Sequence, residues 1–166
     1  MRRVSIIILL FIMLLSSISY GVNPKKFMGK QNLPIHITAD KLTAYDKKGL
    51  YIFSGDVVAT RGDVRLKADK MEVYKNLKSG DIDRVVCIGH VVITKENKKA
   101  TADKAIYFAN KSIVTLIGNA KVISGKNNIE AYRIVYYLNE DYVVSQAGDK
   151  SKRVEVTIYP NKKVKK

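Results

Sequence analysis

One cysteine in 166 residues leaves no internal disulfide to help the fold. Cys87 sits at the parity of Val85 and Gly89 and reads as a small buried hydrophobe. Two histidines, His36 and His90, stand far apart with no cysteine or carboxylate at metal spacing, so no metal and no cofactor is expected. No glycine-rich loop follows a strand and opens a helix, which excludes the usual phosphate cradle. Acidic residues are scarce: 15 against 30 basic ones, a formal net charge of +15. After the first twenty residues no apolar stripe at helical spacing occurs, and helices are not expected there.

What is present is repetition. The triplet Ala39-Asp40-Lys41 returns as Ala68-Asp69-Lys70 and Ala102-Asp103-Lys104, with a weaker echo at Ala131-Tyr132-Arg133. Each is followed by an apolar residue (Leu42, Met71, Ala105, Ile134) and three residues later by an aromatic (Tyr45, Tyr74, Phe108, Tyr137). Gly55-Asp56-Val57, Gly89-His90-Val91 and Gly118-Asn119-Ala120 recur in step with them. Such a period means one small unit used several times around a shared core.

Alternation identifies the unit. Ile35, Ile37 and Ala39 alternate with His36, Thr38 and Asp40; Val64, Leu66 and Ala68 alternate with Arg65, Lys67 and Asp69. That is a strand with one buried face. Arg61-Gly62-Asp63, Lys78-Ser79-Gly80-Asp81 and Gly125-Lys126-Asn127-Asn128 punctuate the runs as turns. Each repeat reads as a hairpin, and the chain as all-β. Across each triplet the apolar parity flips, from Leu66 and Ala68 to Met71 and Val73. A β-bulge at the triplet would supply the extra residue, and regular bulges curl a sheet. The aspartates are better explained by this role than as an acid/base pair, because they occur once per repeat. The aromatics fall at outward parity, as cross-strand packing rather than a sugar-stacking platform. No catalytic constellation remains, so an enzyme is not expected.

The first residues form a targeting segment. Arg2-Arg3 precedes an apolar run from Val4 to Leu15, and Ser16 to Gly21 offers small residues for cleavage after Ser19 or Gly21. Residues 1–21 read as a signal peptide, with a retained membrane anchor as the other reading. Residues 22–32 follow as a flexible segment, 33–160 as the β domain and 161–166 as a basic disordered tail. The excess of lysine predisposes an exported protein to an anionic partner such as a membrane surface, a phosphorylated glycolipid or an acidic polysaccharide. Equally, it serves as a solvated coat that blunts sheet edges. Nucleic acid is not expected.

Several segments in order carry a resemblance: Pro34-Ile35-His36-Ile37, Ala39-Asp40-Lys41, Phe53-Ser54-Gly55-Asp56-Val57, Leu66-Lys67-Ala68-Asp69-Lys70, Gly118-Asn119-Ala120, and Asp149 to Val154 before Tyr159-Pro160. Over residues 33–160 the chain resembles the LptA/OstA family of lipopolysaccharide transport. The resemblance implies a semi-closed, twisted β-jellyroll in the periplasm. It implies an apolar interior for lipid A acyl chains and head-to-tail stacking into a bridge between inner- and outer-membrane transport proteins. A membrane-anchored jellyroll component that hands lipid to the bridge, or a structural β-repeat surface protein, are the other classes.

Parity then nominates residues. Ile35, Ile37, Leu66, Met71, Val73 and Tyr107 are expected to line the groove. Alanine recurs on the inner face (Ala59, Ala68, Ala102, Ala105, Ala120, Ala131). Small inner residues either let two sheets pack closely into a filled core or leave a slot. A slot lined by Ile, Leu, Val, Met and Ala, with no inward charge expected, would suit hydrocarbon. The last strand, Arg153 to Tyr159, ends at Pro160, which cannot donate to a ladder. Its Val154, Val156 and Ile158 are expected to form an oligomer edge that pairs with the first strand of the next copy.

Overall fold

The computed structural model describes residues 33–148 and 153–160. The signal peptide 1–21, the 22–32 segment, Asp149 to Lys152 and the tail 161–166 lie outside the described residues.

Among the described residues, ten antiparallel strands form one curled, unclosed sheet. In chain order they are β1 His36–Thr38, β2 Lys41–Tyr45, β3 Leu50–Arg61, β4 Val64–Lys75, β5 Ile82–Lys95, β6 Lys98–Phe108, β7 Ile113–Ser124, β8 Asn127–Tyr137, β9 Tyr142–Gln146 and β10 Glu155–Thr157. β3 to β8 run as a meander of neighbours. At one edge β1 and β2 share β3 as two halves of a broken strand; at the other, β9 and β10 share β8. The terminal strands are shorter than the sequence suggests. β1 does not reach Pro34 or Asp40, and β10 pairs only Glu155 to Thr157, against Asn128 to Glu130 of β8.

The parity flip occurs where expected. Ala68 and Met71, Ala102 and Ala105, Ala131 and Ile134 are all buried, three residues apart. The extra residue, however, is not in the triplet. Ser54 pairs with Lys70 and Val57 with Ala68, so β3 spends three steps where β4 spends two. The same excess falls on β5 between Ile88 and Val91, and on β7 between Ile117 and Ala120. The bulges therefore sit on the Gly-X pairs. Both residues of each pair are left-handed: Gly55 and Asp56 at φ 80° and 40°, Gly89 and His90 at 78° and 45°, Gly118 and Asn119 at 75° and 45°. Aspartate, asparagine and histidine are the side chains that tolerate this region best.

The triplet's aspartate fills the notch over the glycine of the next long strand. A Cβ on Gly55, Gly89 or Gly118 would overlap the carboxyl group of Asp40, Asp69 or Asp103. His90 Nδ1 lies 2.8 Å from Asp69 Oδ2, and Asn119 Nδ2 donates to Asp103 Oδ2 at 2.9 Å. Tyr132 takes the aspartate's place against Gly148. A row of notches thus crosses the sheet, and the strands bend along it.

The bend brings the two halves of the sheet face to face. Val57, Ala68, Val91, Ala102, Ala120 and Ala131 on one side of the row join Met71, Val73, Cys87, Ala105, Val114, Leu116 and Ile134 on the other in one buried cluster. On the outer face the aromatics pack as expected: Tyr137 stacks on Tyr142 at 4.2 Å, and the Arg84 guanidinium lies 4.0 Å from the Tyr74 ring centroid.

Candidate functional site: an apolar trough

A sheet folded along its middle makes a trough, with the bulge row as its floor and the strand ends as its two lips. Small inner side chains such as Ala100 and Ala105 leave space between the walls. A cavity of about 280 Å³ lies between them. Leu66, Ile93, Ala100, Val122 and Ile129 line it from one half; Val85, Cys87, Ala105, Tyr107, Val114, Leu116, Ile134 and Tyr136 line it from the other. Its volume is about twice that of an engineered cavity of ~150 Å³ that stays dry and admits benzene.

The nominated residues fall in three places. Leu66 and Tyr107 line the cavity. Met71 and Val73 lie in the buried cluster, and Ile37 packs against it. Ile35 precedes β1 and is 45% exposed, at the edge formed by β1 and β2. Leu42, apolar and at the flipped parity, is 54% exposed because β2 is an edge strand. At the opposite edge Val154, Val156 and Ile158 are exposed, Ile158 at 72%.

Sequence reasoning passed over most of the cavity wall. Ile93, Ala105 and Val122 had the inward parity, but parity does not say where along the trough a void opens. It also missed the cations. Arg61 lies two residues beyond Ala59, Lys95 two beyond Ile93 and Lys98 two before Ala100, so all three share the inward parity. Lys98 contributes to the cavity wall, Lys95 is only 8% exposed, and the Arg61 Nε is buried. The expectation of no inward charge is therefore corrected. It failed because the alternation was followed only as far as the last apolar residue of each strand.

Burial sets the electrostatics of the interior. It pushes the Cys87 thiol up to about 12, which keeps it protonated and unreactive. Burial also raises the Tyr107 phenol, and the nearby Arg61 charge partly offsets this. That interaction links β3 to β6 across the fold. Tyr136 is raised to about 12, by burial first and then by its hydrogen bond to Asp141. Asp63 Oδ2 lies 3.9 Å from Lys95 Nζ. Among the described residues no group of three or more His, Cys, Asp or Glu is placed to hold a metal, and no helix is long and apolar enough to cross a membrane.

Fold and trough together define the class: an open-sided β-jellyroll with an apolar interior. The family described as LptA/(LptD N-terminal domain) LPS transport protein matches residues 36–142, and the chain belongs to that family. It is 31% identical to the lipopolysaccharide export system protein LptH of Pseudomonas aeruginosa over 145 residues, covering 78% of this chain and 81% of that protein. It is 28% identical to LptA of Escherichia coli K12 over 141 residues, covering 80% and 75%. The crystal structure of Pseudomonas aeruginosa LptH, described as the periplasmic LptA-homologous component of the lipopolysaccharide transport device, superposes with a TM-score of 0.68 at 28% identity, covering 77% of this chain and 96% of that one.

Proposed function

We propose that the protein is a non-enzymatic periplasmic carrier that holds lipopolysaccharide by its acyl chains and passes it between the inner and outer membranes. The observation that carries this is the trough: apolar, open along its side, in a chain of the lipopolysaccharide transport family. Each buried acyl methylene is worth about 0.8 kcal/mol, so a chain of roughly a dozen carbons gains on the order of 10 kcal/mol. A wall of alanine and branched aliphatic side chains offers no single deep trap, so the chain can slide. In this proposal Ile35 and Ile37 stand at the entry edge, Leu66 and Tyr107 at the cavity, and Met71 and Val73 in the buried cluster beside it. Residues 1–21 are removed on export. β10 of one copy, with Val154, Val156 and Ile158, pairs with the β1–β2 edge of the next and keeps the troughs in line. The same edges meet the inner- and outer-membrane components.

A photo-crosslinking residue tests the assignment in cells. At Ile37 or Leu66 it should capture lipopolysaccharide; at exposed Lys67, next to Leu66 but outward, it should not. Equal capture at Leu66 and Lys67 would refute the trough as the carrying site.

A further inference from the structure

The antiparallel meander sends alternate turns to alternate lips. The β3–β4, β5–β6 and β7–β8 turns form one lip; the β2–β3, β4–β5, β6–β7 and β8–β9 turns form the other. The two differ in charge. Residues 61–65, 95–99 and 124–127 hold six basic residues against two acidic, Asp63 and Glu96. Residues 45–49, 75–84, 108–113 and 137–142 hold six against five. They differ also in direction. On the first lip Arg61 and Lys95 are partly or fully buried at inward parity at the top of the apolar wall, and Lys98, itself exposed, borders the cavity. On the second, the matching positions beyond Val73 and Val85 are Lys75 and Asp83, one of each sign and both exposed. Asp63 accounts for part of the charge on Lys95, through the 3.9 Å ion pair, and is itself substantially exposed.

We propose that the first lip is an anion rail, on which Arg61, Lys95 and Lys98 hold the phosphate of the amphiphile whose acyl chains occupy the trough. This rests on the carrier role proposed above. An amphiphile with its chains between the walls must leave its headgroup at a lip. Two lips of unequal charge give it one preferred side. Guanidinium and ammonium groups are the natural partners of a phosphate, and the burial of Arg61 and Lys95 beside an apolar wall weakens the screening that makes exposed pairs ineffective. Neighbouring turns on one lip are two strands apart, about 9.5 Å. A phosphate leaving the Lys95–Lys98 turn therefore meets Arg61 on one side or Lys126 on the other at a short step. The rail fixes which way the lipid faces without fixing where it stops.

The test compares two lipids with identical acyl chains, diphosphorylated lipid A and the same lipid with both phosphates removed, on the processed full-length protein. The unmodified protein should bind the phosphorylated form at least tenfold more tightly. Arg61→Gln with Lys98→Gln should cut that ratio to about threefold or less, the fall coming from weaker binding of the phosphorylated lipid. Lys95, the most buried of the three, is kept so that the fold is preserved. Lys111→Gln, on the other lip, should leave the ratio intact. Equal binding of both lipids by the unmodified protein overturns the rail and spares the acyl-carrying role. Binding of neither lipid overturns both. An undiminished ratio in the double variant, or an equal drop in Lys111→Gln, removes the assignment to these residues. Inorganic phosphate alone should not compete at millimolar concentration; if it does, the site serves a free anion and the proposal fails.

Discussion

At the level of single residues, the repeated aspartates illustrate how a chemically suggestive pattern can be structural. Asp69 caps the notch above Gly89, and the partnership recurs at Asp40–Gly55 and Asp103–Gly118. Both members were visible in the sequence, twenty and fifteen residues apart in the last two copies. Their meeting was not, because strand register decides which glycine lies beside which aspartate, and register is a tertiary property. Gly89→Ala should destabilise the protein by more than about 1–2 kcal/mol in urea unfolding, since it adds a Cβ in the left-handed region as well as a clash. Adding Asp69→Gly should recover the clash but not the backbone part. His90 offers a milder probe. The hydrogen bond that the His90 ring donates to the Asp69 carboxylate, and then the carboxylate's charge, raise the His90 pKa above its ordinary 6.5. The protonated ring is thus favoured in the folded state; its contribution is full below 6.5 and lost as pH rises through the raised value. His90→Asn, which copies Asn119, should cost stability near pH 5.5 and cost less by pH 8. A difference that grows towards pH 8 would reverse that account.

At the level of strands, the alternation was legible and the ends were not. The sequence placed Arg153 to Tyr159 in one strand, yet only Glu155 to Thr157 pair, against Asn128 to Glu130 of β8, just short of the bulge row at Ala131 to Arg133. β10 is exposed along its length, and so is most of β1 and β2. Such edges template pairing with another chain unless charge or brevity blunts them. Three-residue strands make a weak contact singly, and the exposed apolar side chains of Val154, Val156 and Ile158 add the rest. Truncation of residues 153–166 should therefore leave the monomer's thermal midpoint almost unchanged while abolishing concentration-dependent growth in light scattering. Oligomers that persist in the truncated protein would place the contact elsewhere.

At the level of the whole molecule, the question is why a sheet with so much apolar inner surface does not simply close. Sequence left two answers open, a filled core and a slot, since both want small apolar residues facing inward. The structure separates them by position. Near the bulge row the walls meet through Ala68, Ala102, Ala120 and Ala131, which are buried. Towards the lips they diverge, and Leu66, Ile93, Ala100 and Val122 face space rather than one another. A folded sheet diverges in just this way, as a hinge does, and no composition of one face could reveal it. The stability of the protein is therefore carried by the floor, and its capacity by the upper walls. Ala100→Leu puts three carbons into the cavity without touching the floor. Its cost or gain in stability should stay within about 1.5 kcal/mol, as tolerated core changes do, whereas acylated lipid should bind at least tenfold more weakly. Should the leucine variant keep full affinity, the acyl chains do not lie between these walls.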